Sequence, residues 1–109
     1  MTPEGRVKTD IKKELDVRGF WRAGTPEPER VIGWYYMPVS NGMGVHGIPD
    51  FVCCYTGKSF FIEAKAPKGE CTANQLQRHA EIRAAGGVVL VIDNIETLKA
   101  YLDEHTSPL

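Results

Sequence analysis

Residues 48–65 read IPDFVCCYTGKSFFIEAK, and this stretch decides the fold. It contains two apolar runs, 51–55 and 59–62, which are separated by a short turn sequence. Apolar runs joined in this way are typical of a β-hairpin. We interpret Thr56 and Gly57 as a two-residue loop between two antiparallel strands.

Counting outward from that loop pairs Asp50 with Glu63 across the hairpin. Directly opposed side chains in an antiparallel pair have Cβ atoms about 4.5–5.5 Å apart, and like charges at that distance repel each other. Two carboxylates in this position need a cation between them. Lys65 lies two residues beyond Glu63 and therefore projects from the same face of the strand. Two carboxylates and an ammonium group around one point suit hydrolysis assisted by a hard metal ion.

The segments that flank the hairpin complete an α/β pattern in the order α-β-β-β-α-β-α. Residues 88–92 are uniformly apolar, which predicts a strand that is buried on both faces. The link from the second hairpin strand to this strand should be a right-handed parallel crossover. We expect a mixed sheet flanked by helices. The other predicted elements are a helix from Thr2 to Gly19, an exposed loop over 22–30, a strand over 31–37, a helix from Thr72 to Gly86 and a last helix capped by Asn94.

The composition is that of a small globular protein. The 109 residues provide for one domain, residues 1–109, and the formal net charge is −1. Affinity for a polyanion would therefore come from a local basic patch or from a dimer that combines two patches. The chain has no CxxC motif, no apolar run of membrane-spanning length and no signal-peptide pattern. We expect a cytoplasmic protein with reduced thiols and no membrane association.

The residues around the hairpin resemble the PD-(D/E)XK nuclease superfamily and, within it, the VRR-NUC domain family. The matching features are Gly47–Asp50, Glu63–Pro67, Gln75 on the next helix, and Gly86 before an apolar strand. The resemblance covers roughly residues 40–93. It implies a restriction-endonuclease-like αβββαβ core, so that the whole chain would be a single VRR-NUC-like nuclease domain.

The resemblance also implies roles for the residues at the hairpin. Asp50 and Glu63 would bind Mg²⁺ or Mn²⁺ together with the backbone carbonyl of Ala64. Lys65 would orient or help to deprotonate the attacking water and would stabilise charge on the phosphate. Without the resemblance, Asp50 could be a turn acid after proline, and Glu63 with Lys65 could be a solvated strand face.

Two further residues have alternative interpretations. Gln75 would support the site from its helix, but it also completes a capping box in which it reaches back to the amide of Thr72. Glu14 fits the acidic metal-site residue that some relatives contribute from the first helix. Since Arg18 lies one helical turn further on, Glu14 and Arg18 could instead pair with each other.

The glycine-rich loop that leads to the hairpin is a candidate for substrate contact. Its polar residues Ser40, Asn41 and His46, together with Lys68 after the second hairpin strand, are our candidate substrate-binding residues. Glycine would let the loop backbone approach a phosphate. Loop flexibility explains the same glycines, and His46 could be an ordinary loop residue.

Together these features predict a metal-dependent DNA endonuclease. With so little net charge, it is expected to act as a homodimer and to prefer branched or junction DNA over a specific sequence. One alternative is a non-catalytic nucleic-acid-binding or assembly domain that keeps the nuclease fold. Another is a metallohydrolase that acts on a different phosphate substrate.

Overall fold

The computed structural model describes residues 1–39 and 44–105 and confirms the α/β class. A mixed sheet is flanked by three helices, as the sequence predicted. The helices are α1 Pro3–Val17, α2 Ala73–Ala84 and α3 Ile95–Glu104. The strands are β1 Trp21–Arg22, β2 Gly33–Tyr36, β3 Phe51–Tyr55, β4 Lys58–Ala64 and β5 Val88–Ile92.

The five strands lie in the order β1-β2-β3-β4-β5. β2, β3 and β4 form an antiparallel meander, whereas β5 pairs with β4 in parallel after the crossover through α2. The parallel link between β4 and β5 therefore agrees with the prediction. β1 was not predicted. Its residues Trp21 and Arg22 pair in parallel with the middle of β2, and Arg22 falls within the stretch 22–30 that we expected to be a loop.

The hairpin has the predicted register. Tyr55 pairs with Lys58, and the ladder continues outward to the pair Phe51 and Ile62. Thr56 and Gly57 have φ angles of 47° and 84°, so both loop residues adopt the left-handed conformation that a tight two-residue hairpin turn requires. Asp50 and Glu63 are the next residues outward, just beyond the last pair of the ladder.

The two faces of the sheet have different surroundings. One face of the hairpin packs on α1 and α3 to form the hydrophobic core, because alternate residues of each strand point to the same side. The opposite face includes Glu63 and meets α2 through the His79 side chain. The core residues of the hairpin and of the two helices are Phe51, Cys53, Tyr55, Phe60, Ile62, Ala64, Val7, Ile11, Leu15, Leu98 and Leu102.

The prediction that residues 88–92 are buried on both faces is wrong. Val88 and Val91 are 39% and 42% exposed. The reason is that β5 is an edge strand, paired with β4 on one side only, and its first and fourth residues are left exposed. Val89 and Ile92 are the two β5 residues that are buried.

Within the part of the chain that the structure describes, none of the helices has the length and apolar character needed to cross a membrane.

Candidate active site

Asp50, Glu63 and Lys65 meet at the end of the hairpin that is remote from its turn. The Asp50 Oδ2 atom accepts a hydrogen bond of 2.8 Å from the backbone N–H of Ala64. This bond fixes the Asp50 carboxylate against β4 although Asp50 itself lies one residue before β3. It also brings the Ala64 backbone to the same point as the two acidic side chains.

The Glu63 carboxyl group is buried, with a side chain that is 1% exposed. Burial, followed by the hydrogen bond and the charge repulsion with Asp50, raises the pKa of Glu63 from its ordinary value to about 8, while Lys65 opposes the shift. The cause is that a charged carboxylate loses its hydration in the interior and also faces a second negative charge. Without a cation between the two acids, Glu63 therefore holds its proton near neutral pH.

Two lysines and one further acid lie beside the carboxylates. Lys65 follows β4, whereas Lys8 and Glu4 belong to α1. The Lys65 side chain is 8% exposed, and its Nζ lies 3.8 Å from Glu4 Oε1. The Nζ of Lys8 lies 3.3 Å from Asp50 Oδ1 and 3.9 Å from Glu4 Oε2. Glu4 and Lys8 were not predicted as site residues. Their one available signal was the four-residue spacing, which places both on one face of α1.

The structure does not bring Glu14 to this site. Its Oε2 atom accepts a hydrogen bond of 2.6 Å from Arg18 Nε, so the pairing that the sequence left as the alternative is the one observed. Arg18 is held in turn by Asp103 of α3, at 2.9 Å. Glu14 thus belongs to the contact between α1 and α3, and Glu4 is the α1 acid beside Lys65.

Gln75 combines the two roles between which the sequence could not decide. Its Oε1 accepts a bond of 2.9 Å from the Thr72 N–H and completes the capping box. Its Nε2 donates to Glu63 Oε2 at 3.2 Å. One turn further along α2, His79 Nε2 lies 3.1 Å from Glu63 Oε1. His79 was not predicted as a site residue, although its four-residue distance from Gln75 on the same helix was a usable signal.

The loop before Asp50 packs on the first turn of α2. Gly47 has a φ of 89°, and a Cβ atom at this position would collide with the backbone of Asn74 and Gln75. Glycine is thus required both by the backbone angle and by the close approach. The loop is tied to the same helix by a 3.5 Å bond from Arg78 Nη1 to the carbonyl oxygen of His46.

Two of the four predicted substrate-binding residues lie within the part of the chain that the structure describes. The side chain of His46 is exposed. Lys68 is also exposed and has a φ of 65° in the turn that follows β4. Ser40 and Asn41 lie outside the residues that the structure describes.

The donor set of the site fits a hard cation that keeps part of its hydration. Asp50 and Glu63 supply carboxylate oxygens, and the Ala64 backbone lies beside them. Residues 1–39 and 44–105 contain no group of three or more His, Cys, Asp and Glu side chains that could hold a metal ion. Mg²⁺ is usually bound through one or two carboxylates, several waters and substrate phosphate, so two acids satisfy its ordinary requirement in proteins.

The chain is an α/β protein in which two neighbouring carboxylates and a buried lysine lie at one end of a mixed sheet. No protein-family model matches the chain. It is 39% identical over 69 residues to a protein of Acyrthosiphon pisum secondary endosymbiont phage 1 that carries the name "Putative nuclease p44". The match spans 62% of this chain and 72% of the phage protein. The chain belongs to the same family as this phage protein.

Proposed function

We propose that this chain is a metal-dependent DNA endonuclease of the PD-(D/E)XK superfamily, within its VRR-NUC family. The observation that carries the proposal is the meeting of Asp50, Glu63 and Lys65 at one end of the hairpin, with Glu63 buried and its pKa raised to about 8. Strongly perturbed acids beside a specific charge partner are typical of functional sites. The nuclease name of the phage relative supports the same activity.

Asp50 and Glu63 would hold Mg²⁺ or Mn²⁺ together with the backbone carbonyl of Ala64. Such an ion supplies a bound water of lowered pKa and neutralises charge that develops on the phosphate. The protein itself contributes the fixed position of the two carboxylates. The Ala64 N–H holds Asp50, and Gln75 and His79 hold Glu63.

The lysines would act on the water and on the phosphate. Lys65 is buried beside the carboxylates and would orient the attacking water and stabilise the phosphate charge. Glu4 contacts Lys65 and would keep its ammonium group directed at the site. Lys8 is 37% exposed and reaches Asp50 from the solvent side, which is where a substrate phosphate would enter. Cations placed where negative charge develops are a major source of rate enhancement.

The proposed substrate is branched or junction DNA, cut by a homodimer. The net charge of −1 provides little attraction for a polyanion, since each phosphate contact needs its own cation. Two-fold pairing would double the basic surface and place two sites at a fixed separation. That arrangement suits a substrate with related arms.

The direct test is cleavage of a panel of labelled single-stranded, duplex, flap and four-way DNAs in Mg²⁺, Mn²⁺ or EDTA. We expect cutting in either metal, none in EDTA, and a preference for the four-way DNA. Asp50→Asn should abolish cutting, whereas Asp10→Asn, an exposed acid on α1, should leave it unchanged. Binding without cutting in every metal would indicate a non-catalytic nucleic-acid-binding domain. Equal cutting by both variants would show that the active site lies elsewhere.

A further inference from the structure

We propose that His79 is a positioning residue, which holds the Glu63 carboxylate in the orientation that a metal ion requires by donating its Nε2–H to Glu63 Oε1. The inference rests on the proposed function and extends it to a residue outside the set of metal ligands. His79 is one of three polar or charged residues in the described part of the chain that are buried, and the other two are Glu63 and Lys65.

The first argument is geometric. The His79 Nε2 atom lies 3.1 Å from Glu63 Oε1, and Gln75 Nε2 lies 3.2 Å from Glu63 Oε2. Each carboxylate oxygen thus has its own donor from α2. Two donors that are one helical turn apart fix the plane of the carboxylate, which a single hydrogen bond would leave free to rotate. The lone pairs that remain on the oxygens can then point in one direction, toward Asp50.

The second argument concerns charge. When a cation lies between the two acids, Glu63 is ionised and only accepts hydrogen bonds, so the atom that faces its Oε1 must then carry a proton. A neutral imidazole has a single N–H, and the 3.1 Å contact identifies Nε2 as the ring nitrogen that would carry it. A neutral donor orients the carboxylate but leaves its negative charge available to a cation. A lysine or arginine in the same place would instead compete with the metal.

The third argument is that the contact has no access to solvent. The side chains of His79 and Glu63 are each 1% exposed. If the imidazole N–H were removed, water could not easily take its place. A buried acceptor without a donor is costly, and the carboxylate would rotate to find another partner. Partners of this kind around metal ligands typically change metal affinity by about 10- to 100-fold when they are mutated.

The test measures Mn²⁺ binding by the full chain without DNA, using titration calorimetry. His79→Leu removes the donor and keeps the bulk, and we expect it to weaken Mn²⁺ binding by about 10- to 100-fold. His79→Gln can again place an N–H near Glu63 Oε1 and should stay within a few-fold of wild type. The matched control is Leu76→Gln, at an exposed position of the same helix, which should bind as wild type does. Melting curves in EDTA identify the variants that fold.

Two results would overturn the inference. One is a folded His79→Leu variant with wild-type Mn²⁺ affinity, and the other is a His79→Gln variant as weak as His79→Leu. If neither variant folds, ¹⁵N NMR of the wild-type ring in excess Mg²⁺ decides, because the inference requires the Nε2–H tautomer when Glu63 is ionised. The Nδ1–H tautomer under these conditions would contradict it. Failure of the wild-type protein to bind Mn²⁺ at all would instead overturn the proposed function.

Discussion

In the absence of metal, the stability of the wild-type protein should fall as pH rises, and Glu63→Gln should remove most of that dependence. The pKa of Glu63 is raised from 4.5 to about 8, chiefly by burial and then by Asp50. Above about pH 4.5 the unfolded chain releases the proton that the folded protein still holds. The stabilising contribution is therefore fully present below that pH and is lost as pH rises through about 8.

The size of the effect follows from the same shift. One pKa unit corresponds to about 1.4 kcal/mol, so a shift of this size sets an upper limit of about 5 kcal/mol. At pH 5.5, which is one unit above the ordinary pKa, about 1.4 kcal/mol of this limit is already lost. Between pH 5.5 and pH 9 we expect the wild type to lose about 2–3 kcal/mol relative to Glu63→Gln. His79 makes stability depend on pH in the opposite direction, because its pKa is lowered and stability falls as pH falls. His79 is present in both proteins, so the comparison of the two is not built on it.

The assay is urea unfolding of both proteins in EDTA at pH 5.5, 7 and 9. At pH 5.5 the variant should be no more stable than the wild type. The reason is that the side-chain NH₂ group introduced by Glu63→Gln must face Gln75 or His79 of α2, where it meets a second hydrogen-bond donor. At pH 9 it should be the more stable protein, and excess Mg²⁺ should then stabilise the wild type alone. Parallel pH profiles for the two proteins would refute the reasoning, since they would show that Glu63 does not carry the unfavourable charge.

The other predictions concern catalysis and assembly. Lys65→Ala should lower single-turnover cleavage by at least about 100-fold while folding and Mn²⁺ binding persist, and rates within a few-fold of wild type would exclude the catalytic role. Glu4→Gln should lower cleavage by about 10-fold, whereas Glu14→Gln should not change it. The reverse result would show that Glu14, and not Glu4, is the acid of α1 that supports the site. Light scattering should show a homodimer that binds four-way DNA more tightly than a linear duplex of equal length. A monomer of about 12 kDa that DNA leaves unchanged would contradict this expectation.

The part of the fold that the sequence predicted correctly depends on local chemistry. The hairpin register follows from a loop of two residues whose positive φ angles suit Gly57 but are an uncommon conformation for the β-branched Thr56. The helix starts follow from capping side chains such as Thr2 and Asn94, which accept hydrogen bonds from the first turn in the structure as well. Each of these signals lies within a few residues of the feature that it determines.

The errors concern features that depend on distant parts of the chain. An apolar run such as 88–92 has the same composition in a central strand and in an edge strand, and only the order of the sheet makes β5 an edge. β1 has two residues and exists because β2 lies beside it. In α1, helical periodicity identifies the buried face but not which end of the helix meets the carboxylates. Glu4 and Glu14 are ten residues apart, which is about 15 Å along a helix.

Gln75 shows why the alternatives drawn from a sequence need not exclude each other. A capping residue and a residue that supports the site were opposed interpretations, but a carboxamide has an acceptor at one atom and donors at the other. Here the oxygen binds the Thr72 amide and the nitrogen binds Glu63. The position of a proposed metal ligand is thus coupled to the residue at which α2 begins. A change at Thr72 that shifts the helix start would displace the donor to Glu63 as well, so the capping box is part of the construction of the site.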